Sequence, residues 1–253
     1  YAKKLKIKSF STPFDMNAVD LLEKLNCPIY KIASFELTHL PLIKYIAETK
    51  KPIIISTGMS SIKEIDDAFN IVTKYGNKDI SLLYCVSNYP ASPEDFNLGK
   101  IKYLKNRYKC KIGFSDHSKD NSIATAALFA GAEIFEKHIC LKNVKSPDYS
   151  FSLKGKEIMK YVNDLNNASK MIGSDTFKLS SSENSYRKLR RSIFSTKEIE
   201  KGEKFNINNI GIFRPQVGLK PKYFYFLVGK RSPIKIKKNM PINKEILKKI
   251  KYK

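Results

Sequence analysis

Residues 52–76, PIIISTGMSSIKEIDDAFNIVTKYG, contain one complete strand-and-helix unit. Pro52–Gly58 is apolar enough to be buried on both faces, which is the signature of a strand in a parallel sheet. Ser61 and Glu64 have the spacing of a capping box, in which a hydroxyl and a carboxylate satisfy two of the free N–H groups at a helix start. The helix then runs over Ile62–Tyr75, and Gly76 stands where a left-handed residue stops it.

Outward from that unit the same alternation recurs. Strands are predicted at Lys8–Thr12, Ile29–Ser34, Ile80–Ser87, Lys111–His117 and Glu133–Ile139. Helices are predicted at Met16–Leu25, Leu40–Thr49, Asn97–Tyr108, Ser122–Ala130 and Gly155–Ile172. Six such units in order point to a (β/α)8 TIM barrel lacking its first two β/α units, because a six-stranded arc leaves unpaired edges that a barrel abolishes. This partial α/β barrel is assigned to residues 1–175, and a polar serine-rich linker containing SSSENS to 176–191. A small domain of short strands and turns is assigned to 192–253. On this reading about ninety to a hundred upstream residues would complete the barrel. The 253 residues alone would then be aggregation-prone and inactive.

Composition narrows the classes. With 42% hydrophobic residues the chain can bury a core, and no run of eighteen apolar residues suggests a membrane span. The opening YAKKLKIKSF has no apolar signal core, so a cytoplasmic location without membrane attachment is expected. Cys27, Cys85, Cys110 and Cys140 form no C-x-x-C pair and are expected to be reduced. The net charge is +23, but only six of the 47 basic residues are arginine, and no nucleic-acid motif is present, so nucleic acid is not the expected partner. The charge can still assist capture of an anionic substrate.

The chain has three histidines, and two of them, His117 and His138, end the last two predicted barrel strands. Barrel active sites form at the C-terminal strand ends, so two imidazoles meet at one mouth. Imidazole suits Mn, Fe, Co or Zn, and with only two protein ligands, water and a substrate oxygen would complete the shell. A single histidine at a strand end could equally be a satisfied polar cap. Other strand ends are polar as well: Thr12, Lys31 with Ser34 and Glu36, Ser56 with Thr57, Ser87, and Ser115 with Asp116. A ring of hydroxyls around one cation suits a phosphate or carboxylate.

The runs FSTPFD, YKIASFE, PIIISTGMSS, SNYPASPED, GFSDHS, EKHICL and SPDYSFSL, in this order, resemble the sialic acid synthase family over essentially the whole chain. SPDYSFSL is most similar to the pseudaminic acid synthase branch. The resemblance implies condensation of phosphoenolpyruvate with the aldehyde end of an N-acetylated amino sugar, here 2,4-diacetamido-2,4,6-trideoxy-L-altrose. The product would be a nine-carbon 2-keto acid, with phosphate released and a divalent metal, Mn2+, as cofactor. Neuraminate and legionaminate synthases are the neighbouring possibilities.

By matching motif, His117 and His138 are implied as metal ligands and Glu36 as the carboxylate at the reacting centre. Thr12, Lys31, Ser34, Ser56, Ser87 and Ser115 are implied to hold phosphoenolpyruvate, and Tyr89 and Asp148 to line the sugar pocket. The family's catalytic glutamate and phosphate-binding lysine on its first two strands have no counterpart in this sequence. The region from Ser192 resembles the antifreeze-like, or SAF, domain, which implies a homodimer with that domain over the partner's barrel and Arg214 reaching the partner's sugar site. RPQVGL stands where RPG-x-G-L is usual, which leaves the turn after Arg214 open to differ. Two rival classes remain. One is a Schiff-base aldolase using Lys31, and the other is an inactive carbohydrate-binding or assembly module.

Overall fold

The computed structural model describes residues 1–144 and 146–251. It divides into two compact units, residues 1–174 and residues 175 onward.

In the first unit helices and strands alternate: α1 (Met16–Lys24), β1 (Tyr30–Ile32), α2 (Leu40–Glu48), β2 (Ile53–Ser56), α3 (Ile62–Lys74), β3 (Ile80–Cys85), α4 (Gly99–Arg107), β4 (Lys111–Asp116), α5 (Asn121–Phe129) and β5 (Ile134–Lys137). A two-residue pair, β6 (Ile139–Cys140) with β7 (Leu153–Lys154), follows, and α6 (Lys156–Ile172) ends the unit. The sheet is parallel throughout, with strand order β1-β2-β3-β4-β5. Each strand thus lies beside its predecessor, the progression of a barrel wall, where a doubly wound sheet would reverse direction.

Every residue of β3 is buried, as expected for a strand covered on both sides. Ile32, Ile53, Ile55, Leu82, Ile112 and Phe114 pack with Leu42, Ile43 and Ile46 of α2 and Ala68 and Val72 of α3 in one core. The capping box read from Ser61 and Glu64 is formed in both directions. Gly113 on β4 is required by close approach: a Cβ there would lie 2.5 Å from the Ile134 carbonyl oxygen and 2.4 Å from a methyl of Leu83.

The predicted strand Lys8–Thr12 is not formed. Residues 7–13 belong to no helix or strand, and Lys8 to Ser11 are exposed. A strand covered on both faces needs a continuous apolar run, and this segment supplies only Phe10 within Lys-Ser-Phe-Ser-Thr. The sheet therefore has five strands where six were read. The strand read as Glu133–Ile139 is broken at His138, which lies between β5 and β6.

The second unit opens with a further difference. The serine-rich stretch read as linker contains α7 (Ser181–Tyr186), whose N-terminus carries a reciprocal capping box between Ser180 and Glu183. Beyond it, β8 (Ser192–Ser195) pairs antiparallel with β9 (Ile210–Phe213), followed by α8 (Phe224–Leu227) and α9 (Lys244–Lys251). Ile193, Ile199, Phe205, Ile210, Leu219, Leu227 and Ile242 form a separate core. Among the described residues no helix is long and apolar enough to cross a membrane.

Candidate active site

A chain of polar contacts links the C-terminal ends of β1, β2, β4 and β5. Lys31, at the centre of β1, is buried, yet its Nζ donates to Ser56 Oγ at the end of β2 (2.7 Å) and lies 3.4 Å from Glu136 Oε2 on β5. Glu136 also accepts a hydrogen bond from Ser115 Oγ of β4 at 2.6 Å. Ser115 and Glu136 are direct register partners, and Ser115 is also opposite Cys85. Because side chains alternate across a strand, Ser115, Glu136 and the residues two positions on, His117 and His138, share one face.

The tautomer of His117 follows from its partner. His117 Nδ1 is 2.8 Å from the Val86 carbonyl, which can only accept, so Nδ1 carries the proton and Nε2 presents its lone pair. Burial pushes the His117 pKa down, which keeps the ring neutral. Nε2 faces Ser115 Oγ at 3.3 Å, but the Ser115 proton is committed to Glu136, so that lone pair is left for an electrophile. His138 Nδ1 is 3.2 Å from Asp148 Oδ2, the carboxylate contact that commonly orients a metal-bound imidazole and leaves Nε2 outward. The two rings are 5.4 Å apart in a T arrangement.

Tyr89 lies 4.3 Å from the His117 ring and 5.4 Å from that of Phe151, and Phe151 is 5.2 Å from His138. The donor set fits a divalent cation in an open site. No third His, Cys, Asp or Glu joins the two histidines among the described residues, so water and substrate would supply the rest.

A second pocket of polarity sits at the ends of β1 to β3. Ser34 Oγ accepts from the Gly58 N–H at 3.0 Å and lies 3.2 Å from Cys85 Sγ. Gly58 is held open by necessity: a Cβ there would be 2.2 Å from Ser87 Oγ and 2.8 Å from Ser34 Oγ. Ser87 Oγ and Glu36 Oε2 are buried and make no hydrogen bond of good geometry. Such orphaned oxygens are costly unless a ligand completes them. Beside this cradle a cleft of about 600 Å³ opens between α3 and α4, reaching Thr57, Cys85 and Ser87.

The structure therefore brings Lys31, Ser56, Ser115, His117, His138, Tyr89 and Asp148 together, with Ser34, Ser87 and Glu36 at neighbouring strand ends. Thr12 lies in the stretch that forms no strand, outside this hydrogen-bonded chain. Arg214 is exposed just after β9 in the second unit. Sequence reasoning missed Glu136, the carboxylate that joins Lys31 to Ser115. Its signal was its place two residues before His138, on the same strand face. It also missed Phe151, which closes the aromatic wall beside both histidines.

The fold and mouth together define a class: a parallel α/β barrel-wall scaffold whose strand ends bring a buried lysine close to a pair of histidines. Residues 1–177 match the NeuB family, and the chain belongs to that family. It is 38% identical over 244 residues to the pseudaminic acid synthase of Helicobacter pylori, covering 96% of this chain and 72% of that protein. It is 39% identical over 234 residues to the N,N'-diacetyllegionaminic acid synthase of Campylobacter jejuni, covering 91% and 70%. Among solved structures, the spore coat polysaccharide biosynthesis protein E of Chromobacterium violaceum superposes with a TM-score of 0.75 at 28% identity, covering 96% of this chain and 74% of that one.

Proposed function

We propose that the protein condenses phosphoenolpyruvate with an N-acetylated amino-sugar aldehyde, and that the sugar is 2,4-diacetamido-2,4,6-trideoxy-L-altrose, giving pseudaminic acid. The observation that carries the reading is the juxtaposition of a buried lysine, fixed by Ser56 and Glu136, with two histidines whose free nitrogens flank the same mouth. Phosphoenolpyruvate, water and a six-carbon aldehyde give a nine-carbon 2-keto acid and phosphate, so atoms balance without a redox partner.

In this reading Lys31 and Ser56, with Ser34, Ser87 and Ser115, bind the carboxylate and phosphate of phosphoenolpyruvate. Tyr89 and Phe151 form the wall against which the sugar is oriented, and Asp148 contacts both the sugar and His138. Glu36, whose buried oxygen lacks a partner, moves the proton as water adds at carbon 2. His117 and His138 would hold a divalent metal, Mn2+, which when bound supplies Lewis-acid polarisation of the aldehyde. Thr12 is proposed to join the anion site when the mouth is complete.

The five-stranded sheet is proposed to be an arc of an eight-stranded barrel, and the enzyme to assay is one in which that barrel is closed. The second unit is proposed as an SAF domain that covers the mouth of the partner in a homodimer, bringing Arg214 to the partner's sugar. The Schiff-base alternative is disfavoured by the setting of Lys31, whose Nζ is engaged by Ser56 and Glu136 instead of standing free to attack a carbonyl.

Identities of 38% to a pseudaminic and 39% to a legionaminic acid synthase leave the branch to be measured. The altrose-derived sugar should be used with a kcat/KM at least ~100-fold above N-acetylmannosamine, because a site built to hydrogen-bond one set of polar groups penalises their absence. Equal kcat/KM values would remove the branch and leave the family in place.

A further inference from the structure

The residue preceding each histidine forms a second, hidden contact between the same two strands. Asp116 ends β4 just before His117, Lys137 ends β5 just before His138, and the two are register partners. Lys137 Nζ lies 3.2 Å from Asp116 Oδ2, with the side chains 7% and 0% exposed. Asp116 Oδ1 also accepts from the Ser118 N–H at 2.8 Å, and Lys137 donates to the Ser118 carbonyl. The pair therefore holds both the N–H and the carbonyl of Ser118, the residue that follows His117.

Strand alternation turns Asp116 and Lys137 away from the face that carries His117 and His138. Lys137 lies instead near the Tyr161 ring of α6, at 6.0 Å. Their polar contacts are with each other and with the Ser118 backbone rather than with either imidazole. A buried ion pair is a poor source of stability, because desolvation offsets its attraction and a well-packed apolar pair does as well. Its position is the last paired rung of the β4–β5 ladder.

We propose that Asp116 and Lys137 are positioning residues, a clamp that fixes the spacing of His117 and His138 so that the two imidazoles meet one divalent cation. The proposal rests on the reading that these histidines hold the metal.

The test is the double variant Asp116→Asn/Lys137→Met in the enzyme. The introduced amide keeps an acceptor for the Ser118 N–H while the charge pair is removed. Mn2+ binding is followed by electron paramagnetic resonance, phosphoenolpyruvate binding by calorimetry, and melting in the presence of chelator. The expected result is Mn2+ affinity weakened by about 10- to 100-fold, the range for groups that orient metal ligands, with metal-free melting and phosphoenolpyruvate affinity close to wild type. Wild-type Mn2+ affinity in the double variant would overturn the clamp. So would a parallel loss of melting temperature and phosphoenolpyruvate binding, which marks a structural role only. Should the double variant not fold, Asp116→Asn/Lys137→Gln, which keeps an acceptor for the Ser118 N–H and a donor for its carbonyl, decides on the same readout. A wild-type enzyme with no affinity for Mn2+ fails the metal reading itself and takes the clamp with it.

Discussion

Removing either His117 or His138 should abolish metal-dependent turnover. No third His, Cys, Asp or Glu joins them among the described residues, so His117→Ala or His138→Ala leaves a single imidazole that cannot hold the cation against water. Loss of groups that merely orient such ligands costs about 10- to 100-fold in metal affinity, so loss of a ligand should exceed ~100-fold. Chelation of the wild-type enzyme should remove activity and Mn2+ should restore it, whereas neither variant should be rescued. Electron paramagnetic resonance of added Mn2+ reports the affinity directly. An alanine variant that binds Mn2+ like the wild type would remove its histidine from the site.

Replacing Lys31 should damage a different step. Its Nζ is the cation that faces the strand-end hydroxyls, and Met preserves the length of the buried stem while deleting the charge. A hydrogen bond to a charged group is worth about 1.5–3 kcal/mol, so Lys31→Met should weaken phosphoenolpyruvate binding by about 10- to 200-fold. Mn2+ affinity should change little, because the contacts of Lys31 are with Ser56 and Glu136 and not with either imidazole. Glu136 is left without its partner but is 40% exposed and can turn to water, so the fold should survive. Calorimetric titration with phosphoenolpyruvate separates this from a metal defect, and unchanged affinity would exclude Lys31 from the anion site.

Much of the architecture was legible because parallel strands announce themselves. Ile53–Ser56 and Ile80–Cys85 are short apolar runs, and the Ser61–Glu64 box marks the helix between them. Lys8–Thr12 misled because it follows a charged stretch and precedes a helix, as a strand would, yet it has one apolar side chain where burial on both faces demands several. Composition misled in the opposite direction at 180–186. There a serine-rich stretch read as linker hides the same Ser-x-x-Glu spacing, Ser180 with Glu183, that identified α3.

That His117 and His138 lie side by side was legible because both stand at predicted strand ends and histidine is rare in this chain. Glu136 offered only its place two residues before His138, because its partner Lys31 sits on the first strand of the sheet, far away in sequence, and the pairing itself has no local mark. Asp116 and Lys137 were hidden for the same reason. Each looks like an ordinary charge beside a histidine until the β4–β5 register places them face to face.

The reaction proposed for this mouth joins phosphoenolpyruvate to an amino-sugar aldehyde and depends on a metal. The most direct measurement is the stoichiometry of phosphate release and keto-acid formation when the enzyme is given phosphoenolpyruvate, the diacetamido sugar and Mn2+, with borohydride added in a parallel reaction. One phosphate per nine-carbon 2-keto acid is expected, with both dependent on the sugar and on Mn2+ and no covalent trapping on Lys31. Undiminished product formation in a chelated, metal-free sample, or a borohydride-trapped adduct on Lys31, would contradict it.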